Sequence, residues 1–145
     1  MLLIHQVPDG QTINATYYQK VLRRDLMNAL RKKRPTIDAS AVILHHDNAP
    51  AHRAQSTVLE IDVIGFQRIS QPPYSPDLAP MDFRVFPEVK SQLRGIRFAS
   101  KHELTVAAQR SVSSFDADWY RDTFDKWISR HIKCIRVGGD YVEKI

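Results

Sequence analysis

Ala41-Val42-Ile43-Leu44-His45-His46-Asp47-Asn48-Ala49-Pro50-Ala51-His52 is the stretch that decides the fold. Its first four residues form a short apolar run with two β-branched members, the pattern of a buried strand. That strand delivers His45, His46 and Asp47 to its carboxyl end, where active sites of open α/β sheets collect. Asn48 is placed to cap a following helix, with Pro50 near the first helical position. Ala51, Ala54, Val58 and Ile61 mark the buried side of that helix, and residues 65–69 make the next strand.

Working outward, residues 2–7 read as a strand closed by the Pro8-Asp9-Gly10 turn. A helix follows over residues 15–33. Tyr18, Val21, Leu22, Leu26, Ala29 and Leu30 form its apolar stripe, and Pro35 stops it. On the other side, residues 71–80 form a loop stiffened by four prolines. A helix over residues 79–94 carries Asp82 in its first turn and is kinked or split at Pro87. Two more helices are predicted near 101–115 and 116–135. The last places Trp119, Tyr120, Phe124, Trp127, Ile128 and Ile132 on one face, which predicts a core contact. The order strand, helix, strand, helix, strand, helices argues for an α/β fold around a small, mainly parallel sheet.

The chain has 145 residues, enough for one domain with a sizeable core, so residues 1–145 are expected to form a single domain. Hydrophobic residues make up 43% and charged residues 26%, ordinary for a soluble protein. The net charge of +5 suits a polyanionic partner. With one cysteine, Cys134, no disulfide can form within the chain. No apolar run has membrane-spanning length and no signal-peptide core is present, so neither a membrane partner nor secretion is expected.

Asp47 and Asp82 are the candidate functional pair. Carboxylates are the hard oxygen ligands that Mg²⁺ or Mn²⁺ require in phosphodiester chemistry. Spacing alone is weak evidence, because the chain has twelve Asp. The plain alternative is that both merely favour helix starts. The flanking sequence separates the two. His46-Asp47-Asn48-Ala49-Pro50-Ala51-His52 is followed, after Pro72-Pro73-Tyr74-Ser75-Pro76-Asp77-Leu78-Ala79-Pro80, by Asp82, with 34 residues between the carboxylates.

Those blocks resemble the catalytic domain of mariner-type transposases of the Tc1/mariner superfamily, in which the H-D-N-A-x-x-H and P-P-Y-S-P-D-L-A-P elements stand at this spacing. The likeness extends to Asp9-Gly10-Gln11-Thr12-Ile13-Asn14, Arg31-Lys32-Lys33-Arg34-Pro35, Leu93-Arg94-Gly95-Ile96-Arg97-Phe98 and the tail from Trp127 to Tyr141, ending in Gly138-Gly139-Asp140-Tyr141. It implies an incomplete ribonuclease-H-like fold with the C-terminal helices packed on its sheet. It also implies two metal ions, Mg²⁺ or Mn²⁺, held by Asp47 and Asp82, and metal-dependent DNA cleavage followed by strand transfer. His52 is implied to position the site or the DNA. The basic run Arg31, Lys32, Lys33 and Arg34 is a candidate phosphate contact or nuclear address, although cations also suit a helix C-terminus.

The family carries three catalytic Asp, the first about ninety residues before the second. Here Asp9, Asp25 and Asp38 precede Asp47, and none stands in the first-strand context. The expectation is therefore a fragment that is inactive alone, without the family's helix-turn-helix DNA-reading module. Residues 2–7 are then expected to pair with the strand at residues 42–44. The implied partners are DNA and a second copy of the chain, with no small-molecule substrate, in the nucleus or cytoplasm. The competing expectations are a non-catalytic module binding nucleic acid or protein, and a functionless relic.

Overall fold

The computed structural model describes residues 1–142. They form two compact units, Met1–Gln71 and the part from Pro72 onward.

In the first unit, α1 (Ala15–Lys20), a π-helical turn (Val21–Leu26) and α2 (Met27–Lys33) run on as one helical segment. Asn14 caps it by accepting the Tyr17 amide at 2.9 Å. The π-turn has a basis in the sequence. Tyr18, Leu22, Leu26 and Leu30 recur every fourth residue, and an α-helix would rotate such a stripe by about 40° at each step. A wider i→i+5 turn winds it back. Leu22 and Leu30 accordingly share one core with Ile61 and Phe66, against which Tyr18, Leu26 and Met27 pack.

β1 (Ile43–His45) and β2 (Gln67–Ile69) form a parallel pair in the register Ile43↔Gln67, Leu44↔Arg68 and His45↔Ile69. Parallel strands need a crossover, here α3 (Pro50–Arg53) and α4 (Gln55–Ile64). Gly65 closes α4 at φ +98°, a left-handed conformation that residues with a Cβ rarely adopt. Its amide returns to the Ile61 carbonyl at 3.0 Å. The result is a small parallel sheet with flanking helices, as the alternation predicts.

Residues 2–7 depart from expectation. They form no strand, and among the described residues β1 pairs only with β2. Side chains tie the segment to the helices instead. The His5 ring meets the Tyr17 hydroxyl at 2.6 Å and faces Asp25 at 3.5 Å, and Lys33 donates to the Met1 carbonyl at 3.0 Å. These contacts tie the segment to the helical segment over residues 15–33 rather than to β1.

In the second unit, a 3-10 turn (Pro76–Leu78) and a π-turn (Met81–Val85) lead into α5 (Phe86–Leu93). Pro87 sits in the first turn of α5, so the predicted split falls where its missing N–H does least harm. α6 (Lys101–Ser113) begins at Ser100, which accepts the Glu103 amide, while Glu103 accepts the Ala99 amide. α7 (Ala117–Arg136) begins at Asp116, which accepts the Trp119 amide at 2.8 Å.

The aromatic face of α7 is only partly core. Trp119 stacks on Phe115 with centroids 3.9 Å apart, but Phe124, Ile128 and Ile132 are 55%, 59% and 46% exposed. Thr123, one residue before Phe124, is the buried residue of α7, so the helix turns a mixed polar and aromatic strip inward.

Ile61 is fully buried, so Ile61→Ala should destabilise the first unit by about 2–5 kcal/mol through lost transfer energy and a residual cavity. Chemical denaturation of both proteins measures this.

Candidate active site

Asp47 lies two residues beyond β1, where the strand's carboxyl end opens into a cavity of about 200 Å³. Its Oδ1 is held twice, by the Ala49 amide at 3.0 Å and by His52 Nδ1 at 2.7 Å. The Ala49 bond makes an Asx turn and leaves Ala49, not Asn48, as the cap of α3. The predicted Asn48 cap is thus replaced, because Asn48 donates instead to the Gln71 carbonyl at 2.8 Å. Both bonds fall on Oδ1, and among the described residues Oδ2 accepts no hydrogen bond. The side chain is 64% exposed.

Three rings stand behind this carboxylate. His46 and His52 stack with centroids 4.7 Å apart and planes 7° apart, and Tyr18 packs on His52 at 4.2 Å. The Tyr18 hydroxyl meets His46 Nδ1 at 2.9 Å. Burial, followed by the charge of Asp47, pushes Tyr18 up to about 12, so the phenol keeps its proton and donates it. Burial, then the charges of His52, His45 and Arg68 against that of Asp47, lowers His46 to about 4. A neutral His46 accepting at Nδ1 fits both shifts and avoids like charges in the stack. Partial burial raises the Asp47 pKa, but the Ala49 amide, His52 and His46 outweigh it and hold the carboxyl below its usual range. Asp47 is therefore anionic at neutral pH.

His45 reaches the Gln71 side chain at 2.8 Å, so both ends of Gln71 are tied to the segment that carries Asp47. Arg31, Lys32, Lys33 and Arg34 end α2 in exposed positions, and none of them lines the Asp47 cavity.

In the second unit, Asp82 is exposed in the first turn after Pro80, and its amide bonds the Ala79 carbonyl at 2.9 Å. Sequence reading missed the anchors of this segment. Trp127 Nε1 donates to the Leu78 carbonyl at 2.8 Å, and Arg130 donates to the Asp77 carbonyl at 3.1 Å. Arg130 also lies over the Phe83 ring at 4.2 Å, beside Asp82. Asp77 is 3% exposed and its Oδ2 accepts the Val142 amide at 2.9 Å. Its Oδ1 has no hydrogen-bond partner among the described residues. The available signal was the three-residue step from Trp127 to Arg130, one face of a helix.

By donor chemistry both carboxylates suit Mg²⁺ or Mn²⁺. Among the described residues no group of three or more His, Cys, Asp or Glu could hold a metal ion. Each carboxylate would need further oxygen donors to complete the coordination of such an ion.

The chain is 32% identical to the Mos1 mariner transposase of Drosophila mauritiana over 136 residues, 92% of this chain and 39% of that protein. The Mos1 transposase catalytic domain, in a structure containing raltegravir and Mn, superposes with a TM-score of 0.83 over 91% of this chain and 66% of that one, at 32% identity. The chain is a homologue of the mariner transposase catalytic domain. It is also 32% identical to human histone-lysine N-methyltransferase SETMAR over 134 residues, 92% of this chain and 20% of that protein. It thus spans a fifth to two fifths of these relatives. Other mariner Mos1 structures contain Mg, or a paired-end complex with the left transposon end. The likeness agrees with a ribonuclease-H-like fold. No family profile matches the chain.

Two outcomes follow from the site. Folded His46 resists protonation until about pH 4, against 6.5 for the free side chain, so the unfolded chain binds the extra proton between these values. Stability should fall as pH drops through this window. Thermal melts in chelator should show a flatter pH dependence for His46→Gln. Separately, Trp127→Phe strands the Leu78 carbonyl, at a cost of roughly 1–3 kcal/mol, and should speed amide exchange around Ala79–Phe83.

Proposed function

We propose that the chain is part of the catalytic domain of a mariner-type DNA transposase, both compact units belonging to that domain. Asp47 and Asp82 are its metal-ligating carboxylates for DNA cleavage and strand transfer. The observation that carries this is Asp47 itself, a carboxylate kept anionic, with Oδ1 held by two donors at the edge of a cavity that it lines. Rigid support of this kind is what a metal ligand needs, since hydrogen bonds behind a ligating carboxylate fix its orientation. A divalent ion bound there would supply Lewis-acid activation of a phosphodiester. His52 orients Asp47, and His46 with Tyr18 orients His52.

None of the carboxylates that precede Asp47 in this sequence stands in the family's first-strand context. The earlier carboxylates have other roles. Asp25 faces His5, Asp38 accepts the Ser40 amide, and Asp9 lies in the turn between Pro8 and Gly10. Transposon-end DNA is the substrate class and a second copy of the chain the partner, by analogy with the Mos1 paired-end complexes. A DNA substrate and the Arg31–Arg34 run favour a nuclear location.

The second reading is a binding module that keeps the scaffold and has lost the chemistry. It is favoured by the shortage of metal-capable groups among the described residues.

Calorimetry with Mn²⁺ on the chain and on Asp47→Ala separates the two. Saturable binding that disappears in the variant supports the metal site. Identical heats in both proteins reject it and leave the binding module.

A further inference from the structure

The cavity around Asp47 has a cationic side that the carboxylates do not explain. Arg53 ends α3, one residue after His52, and Arg68 is the middle residue of β2, opposite Leu44. Both line the same cavity as Asp47, the only carboxylate in that lining. The rest of the polar lining comes from His46, His52, Asn48, Ser70 and Gln71.

Neither arginine is paired with Asp47 among the described residues. Arg68 has Asp62 at 3.7 Å, a loose pair between side chains 41% and 57% exposed, worth little. Asp47 takes its Oδ1 bonds from Ala49 and His52 and from neither arginine. The cavity lining therefore includes two arginines without an ion pair to its one carboxylate among the described residues, and only Arg68 has a loose pair elsewhere.

We propose that Arg53 and Arg68 form a clamp for a backbone phosphate of a DNA strand lying at Asp47. The proposal rests on the DNA-acting reading of this site and extends it to two residues outside the motif blocks. Guanidinium N–H groups match the two free oxygens of a phosphodiester, and their charge is permanent. A phosphate held this way leaves Asp47 Oδ2 for a cation, so the anionic ligand and the anionic substrate do not compete for one partner. The contact reads no base, so it supplies affinity and register rather than sequence preference.

The test is DNA binding by the full chain, followed by fluorescence anisotropy of a labelled duplex across a KCl series with chelator present. Each phosphate contact contributes about 0.9 to the slope of log K against log salt. Arg53→Gln and Arg68→Gln should each make the slope shallower by about 1, and the double variant by about 2. Arg68→Lys should keep the slope and lower the affinity, because the charge remains while the two-pronged fork is lost. Arg121→Gln removes the same charge from an exposed site on α7, paired with Asp118, and should leave the slope unchanged. Circular dichroism checks that each variant is folded. Wild-type slopes in both cavity variants, or an equal loss in Arg121→Gln, overturn the clamp. If that happens while Mn²⁺ binding still depends on Asp47, the clamp alone falls. If the unmodified chain binds no DNA even at low salt, the clamp and the DNA-acting reading fall together.

Discussion

The parallel register between β1 and β2 is the constraint from which the candidate site hangs. The strands are three residues each and end level, His45 opposite Ile69. Whatever follows either strand must therefore emerge at the same edge. That edge gathers Asp47 and Asn48 from one side and Ser70 and Gln71 from the other. A shift of one residue would turn every side chain to the opposite face and separate these groups. So short a ladder has few hydrogen bonds of its own. The packing of Leu22, Leu30, Ile61 and Phe66 between the helical segment and the crossover holds it in place. The other edge of β1 is unpaired among the described residues, and Ile43 is 57% exposed there. An open apolar edge is a surface prone to pairing with a further strand.

Around Asp47 the polar groups form an ordered chain of donors. Tyr18 donates to His46, and His52, stacked between them and the carboxylate, donates to Asp47. Each member needs the one behind it in a single protonation state, which partial burial enforces by disfavouring charge on His46 and Tyr18. The arrangement gives an acidic side chain a fixed direction without neutralising it. The second unit positions its carboxylate differently, through backbone carbonyls. Trp127 and Arg130 grip the Asp77 and Leu78 carbonyls, and the fixed φ of Pro76 and Pro80 limits what the segment can otherwise adopt.

Local sequence was a good guide wherever local physics dominates. Helices appear where apolar periodicity and caps agree, with Asn14, Ser100 and Asp116 each accepting a first-turn amide. The crossover between two short strands was legible from an apolar run and a helical pattern, although Gly65, read as the start of the second strand, instead ends α4. Residues 2–7 failed as a strand because a strand is a property of a pair, and the pattern of one segment cannot say whether a partner lies beside it. Phe124, Ile128 and Ile132 failed as core residues because periodicity identifies a face but not what covers it.

By itself the sequence determined the mariner relationship, through the two motif blocks and the distance between their carboxylates. It also determined the strand-end placement of Asp47 and the helix-start placement of Asp82, since both follow from neighbours a few residues away. Only the tertiary structure decided that Tyr18, 29 residues before Asp47, stands behind it, and that Val142 seals Asp77. It also decided that Arg53 and Arg68 share the Asp47 cavity. Contacts between residues far apart in the chain depend on how helices pack and strands register. Single side chains carry no local signature of such partners.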